Sequence, residues 1–242
     1  MNKTANYDFT IVIPVYNEED NMKMIESKLS TYLSHASRKS CVLFVNDGST
    51  DQSLSFIKDI CATHSDFYYI SFEHNCGLSA AIKAGIDHTQ SPLIGYIDAD
   101  LQTDPEDFEL LLKHADQYPL VIGIRAKRKD SWWKRRQSRI ANSFRRMMTG
   151  DTAIDTGCPL KVLHTDVAKK IPFFKGLHRF IPALVQLQGL SYMQIPVSHR
   201  QRVAGVSKFS MRNRFWGPLA DCFAFRWMRT RYINYTIKQH NI

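Results

Sequence analysis

The first 125 residues alternate short apolar, β-branched runs with segments whose apolar residues recur at helical spacing, and this alternation limits the fold more than any other feature. Phe9 to Pro14 reads as a buried strand, and Met22, Ile25, Leu29 and Leu33 lie at helical spacing within Glu18 to Leu33. Cys41 to Val45 repeats the strand signal, and Asp51 is placed to cap a helix through Leu54, Ile57 and Ile60. Phe67 to Phe72 and Leu93 to Ile97 read as further strands, with a helix from Leu78 to Ile86 opened by Gly77 between them. Thr103-Asp104-Pro105-Glu106 is a helix start, because proline fits the first turn and the Thr or Asp side chain caps orphan N–H groups; a fifth strand follows at Leu120 to Ile124. Strands and helices in this order predict an α/β fold with a mostly parallel sheet covered on both faces. Beyond residue 125 the pattern loosens. A basic helix is expected near Trp132 to Met148, a strand at Pro159 to Leu163, a helix around Leu177 to Gln188, a strand at Tyr192 to Val197, a loop from Ser198 to Lys208, and an amphipathic C-terminal helix. No repeat and no linker interrupts the chain.

Ligands of such sheets bind beyond the carboxyl ends of the strands, so the polar residues after each strand are the candidates. Four strand ends carry such clusters: Pro14-Val15-Tyr16-Asn17-Glu18, Asn46-Asp47-Gly48-Ser49-Thr50-Asp51, Asn75-Cys76-Gly77-Leu78-Ser79, and Asp98-Ala99-Asp100-Leu101-Gln102. Singly, each reads as turn or cap chemistry. Together they would line one crevice. In Asp98-x-Asp100-x-Gln102 the polar side chains are two apart on an extended segment, so they face one side and converge hard oxygen atoms. Such a set suits Mg²⁺ or Mn²⁺. Mg²⁺ usually takes only one or two protein carboxylates and completes its shell with water and phosphate oxygens, which predicts a diphosphate-bearing substrate. Neither G-x-x-x-x-G-K-[ST] nor a G-x-G-x-x-G after the first strand is present.

Charge is unevenly placed. The formal net charge is +9, yet Arg125 to Arg146 holds ten basic residues against Asp130, and His199 to the end holds nine against Asp221. The rest of the chain is acidic. Both basic segments are interleaved with aromatics, among them Trp132, Trp133, Phe144, Phe215, Trp216, Phe223 and Trp227. Basic residues among rings suit an anionic lipid surface, and the same mixture could bind nucleic acid or form a solvated helix face. For the C-terminal helix, an intramolecular cover for the sheet or an oligomer interface also fits. No window approaches 18 uncharged apolar residues, so no spanning helix is expected, and no secretory signal is visible. The expected location is cytoplasmic by default, with an anionic membrane surface as one candidate contact. Five cysteines without a C-x-x-C pair argue against a disulfide framework or a zinc knuckle.

Pro14-Val15-Tyr16-Asn17-Glu18, Val45-Asn46-Asp47-Gly48-Ser49-Thr50-Asp51, Asp98-Ala99-Asp100-Leu101-Gln102 and Arg202-x-x-Gly205-x-Ser207-Lys208, in that order, resemble family 2 glycosyltransferases, in particular the dolichol-phosphate mannosyltransferase-like, polyprenyl-phosphate branch. The likeness spans about residues 9 to 209. It implies a GT-A (Rossmann-like) domain over 1–209, followed at 210–242 by the basic, aromatic C-terminal helix as a membrane-surface or interface element. It also implies a nucleotide-sugar donor and inversion at the anomeric carbon. By the same resemblance Pro14, Tyr16, Glu18, Val45 and Asp47 take the base and ribose, with Asp98 and Ala99 completing the nucleotide-sugar set. Asp98, Asp100 and Gln102 hold the donor diphosphate through Mg²⁺ or Mn²⁺. Asp100, Arg125, Arg202 and Lys208 form the catalytic group, the three cations holding phosphate. Asp155-Thr156-Gly157 is similar to the family's D-x-S-G stretch with Thr for Ser, and Asn46 stands where Asp is frequent.

The acceptor follows from proton bookkeeping. A sugar hydroxyl must lose a proton as it attacks, so its enzymes position a carboxylate base. A phosphate monoester, with a second pKa of about 6, already offers an oxyanion at neutral pH and instead needs cations to hold like charges together. Only Asp151, Asp155 and Asp166 are acidic between Met147 and Val197, and no Glu-Asp pair is present there, which favours a phosphate acceptor, a polyprenyl phosphate by the resemblance, while leaving Asp155 as a candidate base. The alternatives are transfer to a saccharide or lipid-sugar hydroxyl and, from another class, a nonenzymatic basic module for membranes or nucleic acid. The leading reading expects no nucleic-acid partner, and the sequence carries no signal for oligomeric state.

Overall fold

A computed structural model of the chain describes residues 3–125, 132–198, 211–235 and 238–239. Seven strands form one sheet: β1 (Phe9–Val15), β2 (Ser40–Asn46), β3 (Phe67–Ser71), β4 (Leu93–Tyr96), β5 (Leu120–Arg125), β6 (Lys161–His164) and β7 (Met193–Val197). Their order is β3-β2-β1-β4-β6-β5-β7. Every pairing is parallel except those of β6, which runs antiparallel between β4 and β5. The expected mostly parallel sheet is therefore present, and the strand expected at Pro159 to Leu163 begins at Lys161 and is its one reversed member.

The helices among the described residues are α1 (Met22–His35), α2 (Ser53–Thr63), α3 (Leu78–His88), α4 (Phe108–Leu112), α5 (Trp132–Thr149), α6 (Thr165–Lys169), α7 (Ile181–Leu187) and α8 (Met211–Arg229). Alternation along β1 sorts the two cores. Ile11, Ile13 and Val15 point to one face, where Met22, Ile25 and Leu29 of α1, Ile57 of α2 and Phe108 of α4 meet them. Val12 points to the other, with Ala81, Ile82 and Ile86 of α3, Leu184 of α7 and Phe225 of α8. Both layers exclude water from the sheet, so what is polar collects at its ends.

Two expected helices differ in detail. Asp104 accepts a hydrogen bond from the Glu106 amide, but the turn it caps is a 3-10 turn, Pro105–Asp107, that runs on into α4. The expected helix from Leu177 to Gln188 is split into a 3-10 turn, Leu177–Arg179, and α7, because Phe180 leaves helical geometry and Pro182 starts a new first turn. The C-terminal helix ends at Arg229. It packs through Cys222 and Phe225 into the second core, with Phe225 stacked on Phe180 at 5.8 Å.

Candidate active site

The loops after β1, β2 and β3 are tied into one rim. Asn17, at φ 51°, donates its amide to Ser49 Oγ (3.0 Å) and accepts the Thr50 amide on Oδ1 (2.8 Å). Glu18 donates its amide to Ser53 Oγ at 2.8 Å and accepts from Asn21 Nδ2 at 2.7 Å. A left-handed backbone at a residue other than glycine is strained and persists only where its surroundings hold it, as these cross-loop bonds do. Pro14, Tyr16 and Glu18 are half-buried at the end of β1. Val45 is wholly buried in the second core, so its side chain supports the rim from beneath.

Asp47 is almost fully buried, and its carboxylate brackets the loop after β3. Oδ1 accepts the amide of Cys76 (2.7 Å), and Oδ2 accepts the amide of Gly77 (2.9 Å) and Asn75 Nδ2 (2.9 Å). Burial pushes its pKa up, while the Cys76 and Gly77 amides pull the other way. Next to it Gly48, at φ +65°, lies so close to the His74 backbone that a Cβ would overlap it. The loop bearing Asn75 and the turn bearing Asp47 thus fit only with glycine there.

Asp98, Ala99, Asp100 and Gln102 follow β4. Tyr96 and Asp98, two apart, face the same side, and the Tyr96 hydroxyl donates to Asp98 Oδ1. Leu101, at φ 46°, turns the chain so that its own amide returns to the Asp98 carbonyl (3.2 Å) and the Gln102 amide reaches Asp100 Oδ1 (3.2 Å). Burial raises the Asp98 pKa to about 6; the Tyr96 hydrogen bond opposes this, Asp100 adds to it, and Lys161 and Arg125 oppose it. The repulsion that buried Asp98 feels from Asp100 is one a divalent cation would relieve, and the two carboxylates with the Gln102 amide oxygen are hard donors, so the residues present fit Mg²⁺ or Mn²⁺. Among the described residues no group of three or more His, Cys, Asp or Glu side chains is poised for a metal.

The reversed strand supplies the rest. Because β6 is antiparallel, it starts at the edge where its neighbours end, and Lys161 lies across from both Tyr96 and Ile122. Lys161 is 2% exposed, donates to the Cys158 carbonyl and lies 5.6 Å from the Tyr96 ring centroid. Burial lowers its pKa, against the pull of nearby Cys158, Asp98 and Asp155. Arg125, the last residue of β5, meets Asp155 in a two-pronged ion pair: Nε to Oδ2 at 2.7 Å and Nη2 to Oδ1 at 2.7 Å. Burial would lower the Arg125 pKa, but the bonds and charge of Asp155, with Asp98 adding, raise it. Tyr96 and Lys161 were missed in the sequence. The signal for Lys161 was a charge inside the apolar run Leu160-Lys161-Val162-Leu163.

Val197 pairs with Arg125, so β7 ends at this edge, and Asp107 accepts the Ser198 amide at 2.8 Å just beyond it. Arg202 and Lys208 lie outside the described residues. Away from the cleft, α5 and α8 pack together through Phe144 and Phe223 (6.4 Å), and Arg229 Nη1 donates to the Thr149 carbonyl at the end of α5 (3.1 Å). Met147, Phe223 and Trp227 are 68%, 57% and 64% exposed, with Arg136, Arg146, Arg226 and Arg231 also exposed. No helix among the described residues is long and apolar enough to cross a membrane.

Residues 10–172 match the profile of Glycosyl transferase family 2. The chain is 33% identical over 204 residues to an undecaprenyl-phosphate 4-deoxy-4-formamido-L-arabinose transferase of Edwardsiella ictaluri, covering 84% of this chain and 63% of that protein. It is 32% identical over 208 residues to the Enterobacter sp. protein of the same name, covering 85% and 64%. The chain thus spans a little under two thirds of the length of these curated relatives. In structure it is similar to glucosyl-3-phosphoglycerate synthase of Mycobacterium tuberculosis in complex with phosphoglyceric acid, with a TM-score of 0.69 at 14% identity, covering 96% of this chain and 82% of that one. It is also similar to the mannosyltransferase PcManGT of Pyrobaculum calidifontis in complex with GDP-Man and Mn²⁺, with a TM-score of 0.65 at 18% identity, covering 90% and 63%.

Proposed function

The chain belongs to glycosyl transferase family 2, and on that premise we propose that it transfers a sugar, with inversion, from a nucleotide-sugar donor to a polyprenyl phosphate. The observation that carries this reading is the charge arrangement at one sheet edge. Asp98, one of two carboxylates that fit a divalent cation, lies within the charge influence of Lys161 and Arg125, and Asp155, a candidate base in the sequence, is engaged by Arg125. The similarity to two undecaprenyl-phosphate transferases supports the acceptor class.

Asp98, Asp100 and Gln102 would hold Mg²⁺ or Mn²⁺. The ion, when bound, offsets the charge of the donor diphosphate as it departs. The rim made by Pro14, Tyr16 and Glu18, with Asp47 bracketing Asn75 to Gly77, shapes the place of the nucleotide, and Val45 and Ala99 back it. Arg125, with Arg202 and Lys208, holds phosphoryl oxygens of acceptor and leaving group so that two anions meet within reach. The phosphate monoester brings its own oxyanion, so no side chain has to remove a proton.

A polyprenyl phosphate presents its headgroup at a membrane surface. The α5–α8 face, where Met147, Phe223 and Trp227 lie among arginines, suits contact with anionic lipid, which gives residues 210–242 the role of a peripheral membrane element on the cytoplasmic side. Incubation with labelled nucleotide sugars and either polyprenyl phosphate or a panel of glycans tests the reading. A metal-dependent lipid-linked product is expected. Product on glycans alone would overturn the acceptor, and retention of activity in Asp100→Ala would overturn the metal site.

A further inference from the structure

Asp155 makes a strong polar contact at the cleft that donor binding does not by itself explain. Its carboxylate lies in the short segment before the reversed strand β6, thirty residues from Arg125 in sequence. Three bonds join the two residues: Nε to Oδ2 and Nη2 to Oδ1, both 2.7 Å, and the Arg125 backbone amide to Oδ2 at 3.3 Å. The side chains are 15% and 9% exposed. Gly157 completes the fit, since a Cβ there would lie 2.8 Å from Arg125 Nη2. The guanidinium is therefore laid across Gly157 with its plane fixed by the fork.

This geometry bears on what Asp155 does. Both carboxylate oxygens accept charge-assisted hydrogen bonds from one guanidinium, so the charge of Asp155 is already engaged in holding Arg125. The fork uses the Nε–H and one Nη2–H of the five guanidinium donors, leaving the Nη1 edge and the second Nη2 hydrogen for another oxyanion. A long side chain at the last position of a strand would otherwise lose rotamer freedom on gripping a ligand, and the fork removes much of that loss beforehand. Arg125 also feels the charge of Asp98, one of the proposed metal carboxylates.

Resting on the transferase reading, we infer that Asp155 is a positioning residue: it aims Arg125 at a phosphoryl oxygen, of the acceptor monophosphate or of the donor diphosphate, and takes no proton in the reaction. Kinetics with a nucleotide sugar and a short polyprenyl phosphate, on Asp155→Asn, Arg125→Gln and the double variant, tests this. In Asp155→Asn the KM of the substrate whose phosphate Arg125 holds rises at least tenfold, separate acceptor and donor titrations telling which it is. Its kcat stays within about fivefold, and the acid limb of the pH–kcat profile, set by the acceptor phosphate, keeps its position. Adding Asp155→Asn to Arg125→Gln brings no further loss, as expected of residues acting as one unit.

A fall in kcat of a hundredfold or more at saturation, with the acid limb shifted or lost, or losses that multiply in the double variant, would overturn the inference and make Asp155 a base. If Asp155→Asn does not fold, the comparison of Arg125→Gln with the double variant, in which the unpaired buried charge is removed, decides: equal kinetics support positioning and a further loss of kcat overturns it. If the unaltered chain turns over no nucleotide sugar at all, the functional reading fails by itself. The Arg125 Nε–H resonance in ¹⁵N-labelled protein then judges the orientation: slow exchange that is lost in Asp155→Asn supports it, and a signal unchanged by the substitution overturns it.

Discussion

His178 makes the stability of the fold depend on pH in a direction that can be worked out. It sits in the 3-10 turn before α7, where Ser79 Oγ accepts the Gly176 amide at 3.0 Å and lies 3.3 Å from His178 Nδ1, placed to donate its hydroxyl to a neutral ring. Burial, with Arg179 and Lys161 adding repulsion, pushes the His178 pKa down from 6.5 to about 3. The unfolded chain therefore binds a proton near pH 6.5 that the folded chain refuses until about pH 3, so stability is complete above 6.5 and falls as pH drops through that window. Between pH 7.5 and 5.0 the loss is about 2 kcal/mol, at about 1.4 kcal/mol per unit below the unfolded value. Asp98, whose pKa is raised in the fold, works in the opposite direction over part of this range, so the informative quantity is a difference between proteins. Urea unfolding followed by circular dichroism at both pH values, for the unaltered chain and for His178→Asn, isolates it, since asparagine keeps an acceptor for Ser79 without titrating. The variant should lose about 2 kcal/mol less on acidification. Equal losses in the two proteins would refute the burial of a neutral imidazole.

Gly95 lies in β4 where a Cβ would come within 2.7 Å of Phe9 Cε2 and 2.9 Å of Phe108 Cε1, so Gly95→Ala should destabilise the fold by roughly 1–3 kcal/mol in a thermal melt. Arg145 and Asp151 form a buried ion pair beneath the end of α5, with Thr149 Oγ1 and the Ala153 amide also donating to Asp151; Asp151→Ala should cost roughly 3–5 kcal/mol in urea unfolding by stranding the guanidinium. Trp227→Ser, at an exposed position of α8, should weaken binding to anionic vesicles at least tenfold in a flotation assay without moving the melting temperature, given roughly 1.5–3 kcal/mol for a large apolar side chain buried. Asp100→Asn should weaken Mn²⁺-assisted donor uptake more than tenfold by calorimetry while metal-free unfolding stays within about 1 kcal/mol of the parent.

The reach of the sequence ends where long-range pairing begins. The rim was legible because each of its clusters follows a strand of unbroken apolar pattern, and a parallel sheet has no choice but to bring those ends together. β6 was legible as a strand but not as a reversed one: four residues with Lys161 at the first give no direction, and its place between β4 and β5 is set by pairings with Leu93 to Tyr96 and Leu120 to Ile122. That one reversal brings Asp155 against Arg125 and Lys161 beside Asp98, so the pairing of the cleft charges could not be read before the strand order was known. Asp47 teaches the same at shorter range. The family resemblance proposes it as a nucleotide ligand, yet its carboxylate already accepts three donors from Asn75, Cys76 and Gly77, so any contribution to donor binding must be made while it also keeps that loop closed. Location at the strand ends is dictated locally by hydrophobic period and turn chemistry. The role of a charged group there depends on which counter-charge the topology delivers to it, and in this chain β6 makes that delivery.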